Sequence, residues 1–115
     1  MPFPSPAAED SPIDLGHLRR TTLGEAGLER EVLEMFLKQA ARLVGALAAL
    51  PPETGALAHT LKGSARAIGA VRVADRAGEL EAAIRDGGDR IQTLAELSAA
   101  VAEARASIEA ILSQP

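Results

Sequence analysis

A chain of 115 residues with a formal net charge of −4 is long enough for one domain with one hydrophobic core. The absence of cysteine excludes a disulfide framework and thiolate chemistry, and two histidines far apart make a poor case for a zinc site. No basic stripe interleaved with aromatic side chains occurs in the sequence, so we expect no nucleic-acid partner.

The N-terminal segment is rich in proline, serine and acidic side chains, and we predict that residues 1–12 form a disordered tail. This segment has neither the basic region nor the apolar core of a signal peptide. The longest apolar run of the chain falls far short of the roughly 18 residues that a membrane span needs. We therefore expect a soluble, cytoplasmic protein without a membrane partner.

Residues 13–115 predict a helical domain that begins with a short helix and continues with four long ones. The short segment over residues 13–20 is expected to close one end of the bundle. The first long helix is predicted over residues 25–50, where Thr22 and Glu25 fit a capping box and two prolines end the helix. The residues of this helix predicted to face the core are Leu33, Phe36, Leu37, Ala40, Val44 and Leu47.

Three more helices are predicted over residues 53–68, 71–86 and 89–113, and they are separated by Gly69, a predicted left-handed C-cap, and by Gly87-Gly88. On the last helix the predicted core-facing residues are Ile91, Leu94, Leu97, Val101, Ala104, Ile108 and Ile111. The pattern predicts an all-α fold, an antiparallel up-down-up-down four-helix bundle with a short extra N-terminal helical segment. We expect a monomer, with a bundle shared between two chains as the alternative because an alanine-rich core is shallow.

The helix that precedes Gly69 carries an unusual group of residues on the face turned away from the core. Lys62, Gly63 and Arg66 follow His59 by three, four and seven residues, so at about 100° per residue all three share its exposed face. An exposed histidine alone is usually a solvated polar residue. Here it has two cations beside it and, one turn away at Gly63, a patch of backbone without a side chain. A glycine inside a helix destabilises it by about 1 kcal/mol relative to alanine. These neighbours favour a functional role for His59.

The run AHTLKGSARAIG at residues 58–69 resembles the His-x-x-Lys-Gly-Ser motif of the histidine-containing phosphotransfer (HPt) family of two-component phosphorelays, including the glycine ten residues after the histidine. The similarity extends to residues 80–87 in the following helix and to Phe36-Leu37 in the preceding one, and it covers the chain from about residue 13 to about residue 113. The departures are minor: Gly55 lies one turn before the histidine, and aromatic residues are scarce.

The resemblance implies a phosphorelay intermediate. His59 would become a phosphohistidine by accepting a phosphoryl group from the aspartate of a receiver domain, and would then pass the group to an aspartate of another receiver. Lys62 would stabilise the phosphoryl oxygens, Gly63 would give the partner access, and Arg66 could contact the phosphate or the partner.

The implied partners are response-regulator receiver domains and a hybrid histidine kinase. The implied magnesium belongs to the receiver, so we expect no cofactor or metal in this protein itself. Because the chain also lacks a nucleotide-binding glycine loop, we expect a phosphoryl carrier without kinase activity of its own, not an enzyme.

Several alternatives remain open on the sequence. The same bundle could be a non-catalytic helical adaptor (pseudo-HPt) that binds a receiver or a histidine kinase without carrying phosphate, although such a protein would be expected to lose His59 or Lys62, and this chain keeps both. The chain could be a free-standing protein or a fragment of a hybrid kinase. Either imidazole nitrogen could be phosphorylated, with the more exposed Nε2 favoured. His17 matches no motif and is interpreted as structural.

Overall fold

The computed structural model describes residues 11–114, so most of the predicted tail lies outside the described residues. This part of the chain folds into five α-helices without a strand, which confirms the all-α prediction. The helices are α1 (Leu15–Thr21), α2 (Ala26–Leu47), α3 (Thr54–Ile68), α4 (Val71–Asp86) and α5 (Arg90–Leu112). None of these helices is both long and apolar enough to cross a membrane.

The four long helices pack side by side, and short links make chain neighbours antiparallel. α3 packs most extensively on α4, α4 packs on α5, and α2 contacts both α3 and α5, while α1 lies against α3. Small side chains let the helices approach closely: the buried alanines include Ala58, Ala65, Ala77 and Ala104. The largest fully buried side chains are Ile13, Leu18, Leu33, Leu47, Leu61, Leu80, Leu97 and Ile108.

The start of α2 differs from the predicted capping box. Glu25 is the N-cap residue and its side chain makes no capping hydrogen bond. Thr22 is instead buried at the end of α1, where its hydroxyl donates to the carbonyl oxygen of Leu18 at 2.9 Å. Leu23 and Gly24, with φ values of 55° and 75°, turn the chain between the two helices. The capping-box prediction is therefore wrong, because the hydroxyl completes the preceding helix and not the following one.

Three other sequence predictions need correction. α2 ends at Leu47, three residues before the predicted end at Leu50. Leu50 has a φ of 48° and precedes a proline, and a residue in that position is disfavoured in the right-handed helical conformation. Ile91, predicted to face the core, is 76% exposed because it lies in the first turn of α5, before the first fully buried residue of that helix, Leu97. Leu43 is buried in the core and was missing from the predicted α2 stripe.

The junction between α3 and α4 fixes how these two helices face each other. Gly69 has a φ of 80°, which confirms the predicted left-handed cap. The Ala70 amide donates to the Ala65 carbonyl at 2.8 Å, and the Asp14 amide donates to the Gly69 carbonyl at 2.8 Å. A link of only two residues therefore makes α3 and α4 a tight antiparallel hairpin that is tied to the start of α1.

Candidate functional site

His59 projects from the second turn of α3 into solvent. The opposite face of α3 is buried and consists of Thr54, Ala58, Leu61, Ala65 and Ile68. The His59 side chain retains 68% of its exposure, as the helical periodicity predicts. The imidazole is thus accessible to another molecule while the helix that carries it is anchored in the core.

Glu81 on α4 contacts both His59 and Lys62. Its Oε2 lies 2.9 Å from Nδ1 of His59, and its Oε1 lies 2.7 Å from Nζ of Lys62. The side chain of Glu81 is about one-quarter exposed and that of Lys62 about one-fifth. Lys62 is therefore less exposed than the helical periodicity predicts, because its aliphatic stem lies over Gly78 and its ammonium group turns toward the carboxylate.

The charges of the cluster favour the ionised carboxylate. The Lys62 ammonium is the main cause that lowers the pKa of Glu81 below its usual range, and the contact with His59 acts in the same direction. Partial burial opposes this shift but does not cancel it. Glu81 is thus a carboxylate near neutral pH, and a carboxylate can only accept a hydrogen bond.

The contact with Glu81 fixes the proton of the imidazole ring. Since Oε2 can only accept, Nδ1 of His59 must carry the hydrogen that lies between them. In the neutral ring the other nitrogen, Nε2, then holds the lone pair. The group that selects this tautomer of the neutral ring and holds the ring in place is therefore on a different helix from the histidine.

The hairpin geometry explains why Glu81 faces His59. Two antiparallel helices joined at Gly69-Ala70 place residues whose numbers add up to about 140 beside each other. Lys62 lies over Gly78, and Gly55 lies near Ile84, in agreement with this rule. The same sum pairs position 59 with position 81. The sequence places Glu81 on the predicted helix after Gly69 and indicates no role for it. The short predicted link between the two helices is the signal that could have shown that position 81 faces position 59.

Gly63 and Arg66 complete the exposed face. A Cβ atom built on Gly63 meets no neighbouring atom within 4 Å, so the backbone beside His59 is open to an incoming molecule. Arg66 is exposed and pairs with no residue between positions 11 and 114. The structure therefore brings His59 and Lys62 together through Glu81, leaves Gly63 as open surface beside them, and leaves Arg66 without a counter-ion in the described residues. His17 lies on α1, outside this cluster.

No group of three or more histidine, cysteine, aspartate or glutamate side chains in residues 11–114 is placed to hold a metal ion. The cluster around His59 consists of one imidazole, one carboxylate and the Lys62 ammonium. Such a set suits the reversible attachment of an anionic group to the imidazole.

The lowered pKa of Glu81 predicts a pH-dependent contribution to stability. A carboxylate with a lowered folded-state pKa stabilises the fold fully above its unfolded-state value of about 4.3, and this contribution is lost as the pH falls through the folded-state value. As the pH falls from 5 to 3 we expect the free energy of unfolding of wild type to decrease more than that of Glu81→Gln, by less than about 1 kcal/mol for a pair at the protein surface. Urea unfolding at both pH values measures the difference. Glu34→Gln is the control, and a loss in Glu81→Gln as large as that of wild type would contradict the prediction.

A family model for the Hpt domain matches residues 31–114. The match contains α3, α4 and α5, most of α2, and every residue of the cluster around His59. No curated protein and no solved structure matches the chain significantly.

Proposed function

Because the chain belongs to the Hpt domain family, whose members are phosphocarrier modules of two-component phosphorelays, we propose that His59 is its phosphoryl carrier. In this proposal His59 accepts the group from the phospho-aspartate of a receiver domain and passes it to an aspartate of another receiver. The observation that supports it best is the exposed imidazole whose Nδ1 contacts Glu81, because this contact leaves the lone pair on the accessible Nε2.

The proposed transfer is a displacement at phosphorus. The Nε2 lone pair of His59 attacks the phosphorus atom, an N–P bond forms, and the P–O bond to the partner's aspartate breaks, so that the aspartate leaves as a carboxylate. The ring then carries a phosphoryl group on Nε2 and a proton on Nδ1, and its positive charge is stabilised by the Glu81 carboxylate 2.9 Å away. In the reverse step an incoming carboxylate attacks phosphorus, and the lone pair returns to Nε2.

The neighbours of His59 are assigned supporting roles. Lys62 stabilises the oxygens of the transferring group electrostatically, and its contact with Glu81 keeps the ammonium close to the imidazole. Gly63 gives the partner's aspartate room for an in-line approach. Arg66 supplies a further positive charge to the phosphate or to the partner. The magnesium ion is assigned to the receiver, and no cofactor or kinase activity to this chain.

Glu81 is a positioning residue in this mechanism, and its removal has two measurable effects. In Glu81→Ala, Nδ1 loses its acceptor and both ring tautomers become populated, so we expect phosphotransfer to slow by about 10- to 100-fold. In Glu81→Gln the amide oxygen can still accept from Nδ1, so most of the rate should be retained. Single-turnover transfer kinetics give the rates, and the ¹⁵N chemical shifts of the His59 ring report the tautomer. An unchanged tautomer in Glu81→Ala would contradict the assigned role.

The direct test is transfer from individual ³²P-labelled phospho-receivers to the purified protein, followed by transfer to a second, unlabelled receiver. We expect an acid-labile, base-stable label that mass spectrometry locates on His59, and its loss on addition of the second receiver. A folded protein that binds a receiver but acquires no label would overturn the proposal and assign the chain to the adaptor class.

A further inference from the structure

The turn between α1 and α2 presents the most exposed large apolar side chain of residues 11–114. Leu23 is 88% exposed, and its φ is 55°. Leucine is unfavourable here for two reasons, because its isobutyl group lies in water and because a bulky side chain is strained in the left-handed conformation. Glycine or asparagine would tolerate the same backbone without exposing apolar surface. A residue that is both strained and exposed indicates a contact outside the chain.

A groove opens beside this turn, between the first turns of α2 and the last turn of α5. It has a volume of about 440 Å³, and its lining residues are Ala26, Glu29, Arg30, Leu33, Ile111 and Gln114. Ala26 follows Leu23 by only three positions, so the projecting leucine and the groove lie at the same end of the bundle. Because Leu23 is 88% exposed, it does not fill the groove of its own chain.

Opposite charges flank the leucine and the groove. Arg19 and Arg20 lie on the last turn of α1, just before the connecting turn. Glu25, Glu29 and Glu31 lie after it, at the start of α2. Within residues 11–114 the two groups approach each other only between Nε of Arg19 and Oε1 of Glu29, which are 4.0 Å apart. Arg20, Glu25 and Glu31 are exposed and pair with no other side chain of the described chain, so both signs of charge are available to another molecule.

This end of the bundle is electrically neutral in an acidic chain. Residues 15–31 contain three arginines and three glutamates, whereas the chain as a whole has a net charge of −4. Two copies that approach through other surfaces repel each other through their net charges. Two copies that approach through this end bring arginines toward glutamates. The charge distribution therefore favours a second copy of the chain as the partner.

We propose that the α1–α2 end, defined as residues 19–31 with the groove against α5, is a self-association surface through which two copies of this chain form a symmetric dimer. In a two-fold dimer each copy makes the same contact in both directions. Leu23 of each copy enters the groove of the other, and the arginines of each α1 face the glutamates of the other α2. Burial of Leu23 then removes its apolar surface from water and offsets the strain of its backbone.

The nearness of the leucine to the groove favours a closed pair. When a projecting side chain and the groove that receives it lie far apart on a molecule, successive copies add without end and form a filament. Here only two residues separate Leu23 from Ala26, so one two-fold axis can bring both contacts together. The dimer consists of two complete bundles, and not of one bundle shared between two chains.

The proposed dimer leaves both copies of His59 accessible. α3 and α4 form one side of the bundle, and α2 and α5 form the other side, where the groove opens. His59 also lies ten residues before Gly69, or about 15 Å along the axis of α3 from the end that α1 covers. The proposal is therefore independent of the proposed function, and its test needs no phosphodonor.

Sedimentation velocity of the full chain over a range of concentrations tests the proposal. We expect wild type to change from monomer to dimer as the concentration rises, and Leu23→Asn to raise the dissociation constant by at least about tenfold. Ile91→Asn is the control, because Ile91 is 76% exposed on the first turn of α5, at the other end of the bundle, and its dissociation constant should stay within about twofold of wild type. At a concentration where both proteins are monomers, Leu23→Asn should be at least as stable to urea as wild type, because asparagine tolerates the left-handed conformation.

A charge exchange tests the arrangement of the two copies. Arg19→Glu/Arg20→Glu makes the α1–α2 end acidic, and Glu25→Arg/Glu31→Arg makes it basic. Each variant alone should be a monomer at concentrations where wild type is a dimer, because the two copies then present like charges to each other. An equimolar mixture of the two variants should recover the dimer, since arginines again face glutamates. A mixture that stays monomeric would overturn the proposed contact.

Three other outcomes would overturn the proposal. The first is a wild-type protein that remains a monomer up to about 200 μM. The second is a wild-type dimer whose dissociation constant is the same in Leu23→Asn. The third is a monomeric wild type whose binding to a receiver domain, measured by isothermal titration calorimetry, is weakened by Leu23→Asn, because this result would assign the α1–α2 end to a different protein.

Discussion

Replacing His59 with glutamine is expected to abolish phosphorylation, lowering the rate of labelling by at least about a thousandfold, to below detection. An amide nitrogen has no available lone pair, so glutamine cannot form the N–P bond although its size and polarity resemble those of histidine. The His59 side chain is 68% exposed and makes a single hydrogen bond, to Glu81, so the free energy of unfolding should change by no more than about 0.5 kcal/mol. Loss of label would therefore report chemistry and not misfolding.

His17→Gln is the matched control for this substitution, because the chain contains only two histidines. His17 lies on α1, where its backbone amide donates to the Asp14 side chain and its backbone carbonyl accepts from the Thr21 hydroxyl. We expect this variant to be labelled at the wild-type rate by the same phosphorylated receiver. Label that persists in His59→Gln and disappears in His17→Gln would move the phosphorylation site to α1 and refute the mechanism proposed above.

The sequence predicted the helices well where local signals were strong. α3 and α4 end at Gly69 and Gly87 because glycine tolerates the left-handed conformation that ends a helix. This tolerance is a local property that does not depend on the neighbouring helices. The start of α2 was predicted wrongly because Thr22 had two possible backbone partners, and only the packing of α1 decided between them. Ile91 was placed in the core because periodicity does not indicate how far the opposing helices extend.

The candidate site was predictable only in part. The spacing of His59, Lys62 and Gly63 on one helix is a local property that the sequence carries directly. Glu81 lies 22 positions after the histidine, and its contact depends on the length of the link between α3 and α4. The proton on Nδ1 depends in turn on that contact. Which ring nitrogen holds the lone pair in the neutral imidazole is thus determined by tertiary structure, through the packing of α4 against α3.

Replacing Gly69 with alanine is expected to lower the free energy of unfolding by about 3 kcal/mol, more than the same substitution at the other glycine cap, Gly87. A left-handed conformation costs a non-glycine residue about 1–2 kcal/mol. A Cβ atom here would also lie 2.7 Å from the backbone oxygen of Asp14, so the start of α1 must shift and its hydrogen bond to Gly69, worth about 1 kcal/mol, is strained or lost. Chemical denaturation followed by circular dichroism measures this loss.

Gly87→Ala separates backbone strain from steric overlap. Gly87 has a φ of 78°, close to the 80° of Gly69, but a Cβ atom there meets nothing within 4 Å. Its substitution should therefore cost only the conformational strain, about 1–2 kcal/mol. Equal destabilisation by the two substitutions would contradict the tight contact between Asp14 and the α3–α4 junction. If Gly69→Ala has the larger cost, the glycine ten residues after the histidine has a physical reason: without a Cβ atom it lets the start of α1 pack against the α3–α4 junction.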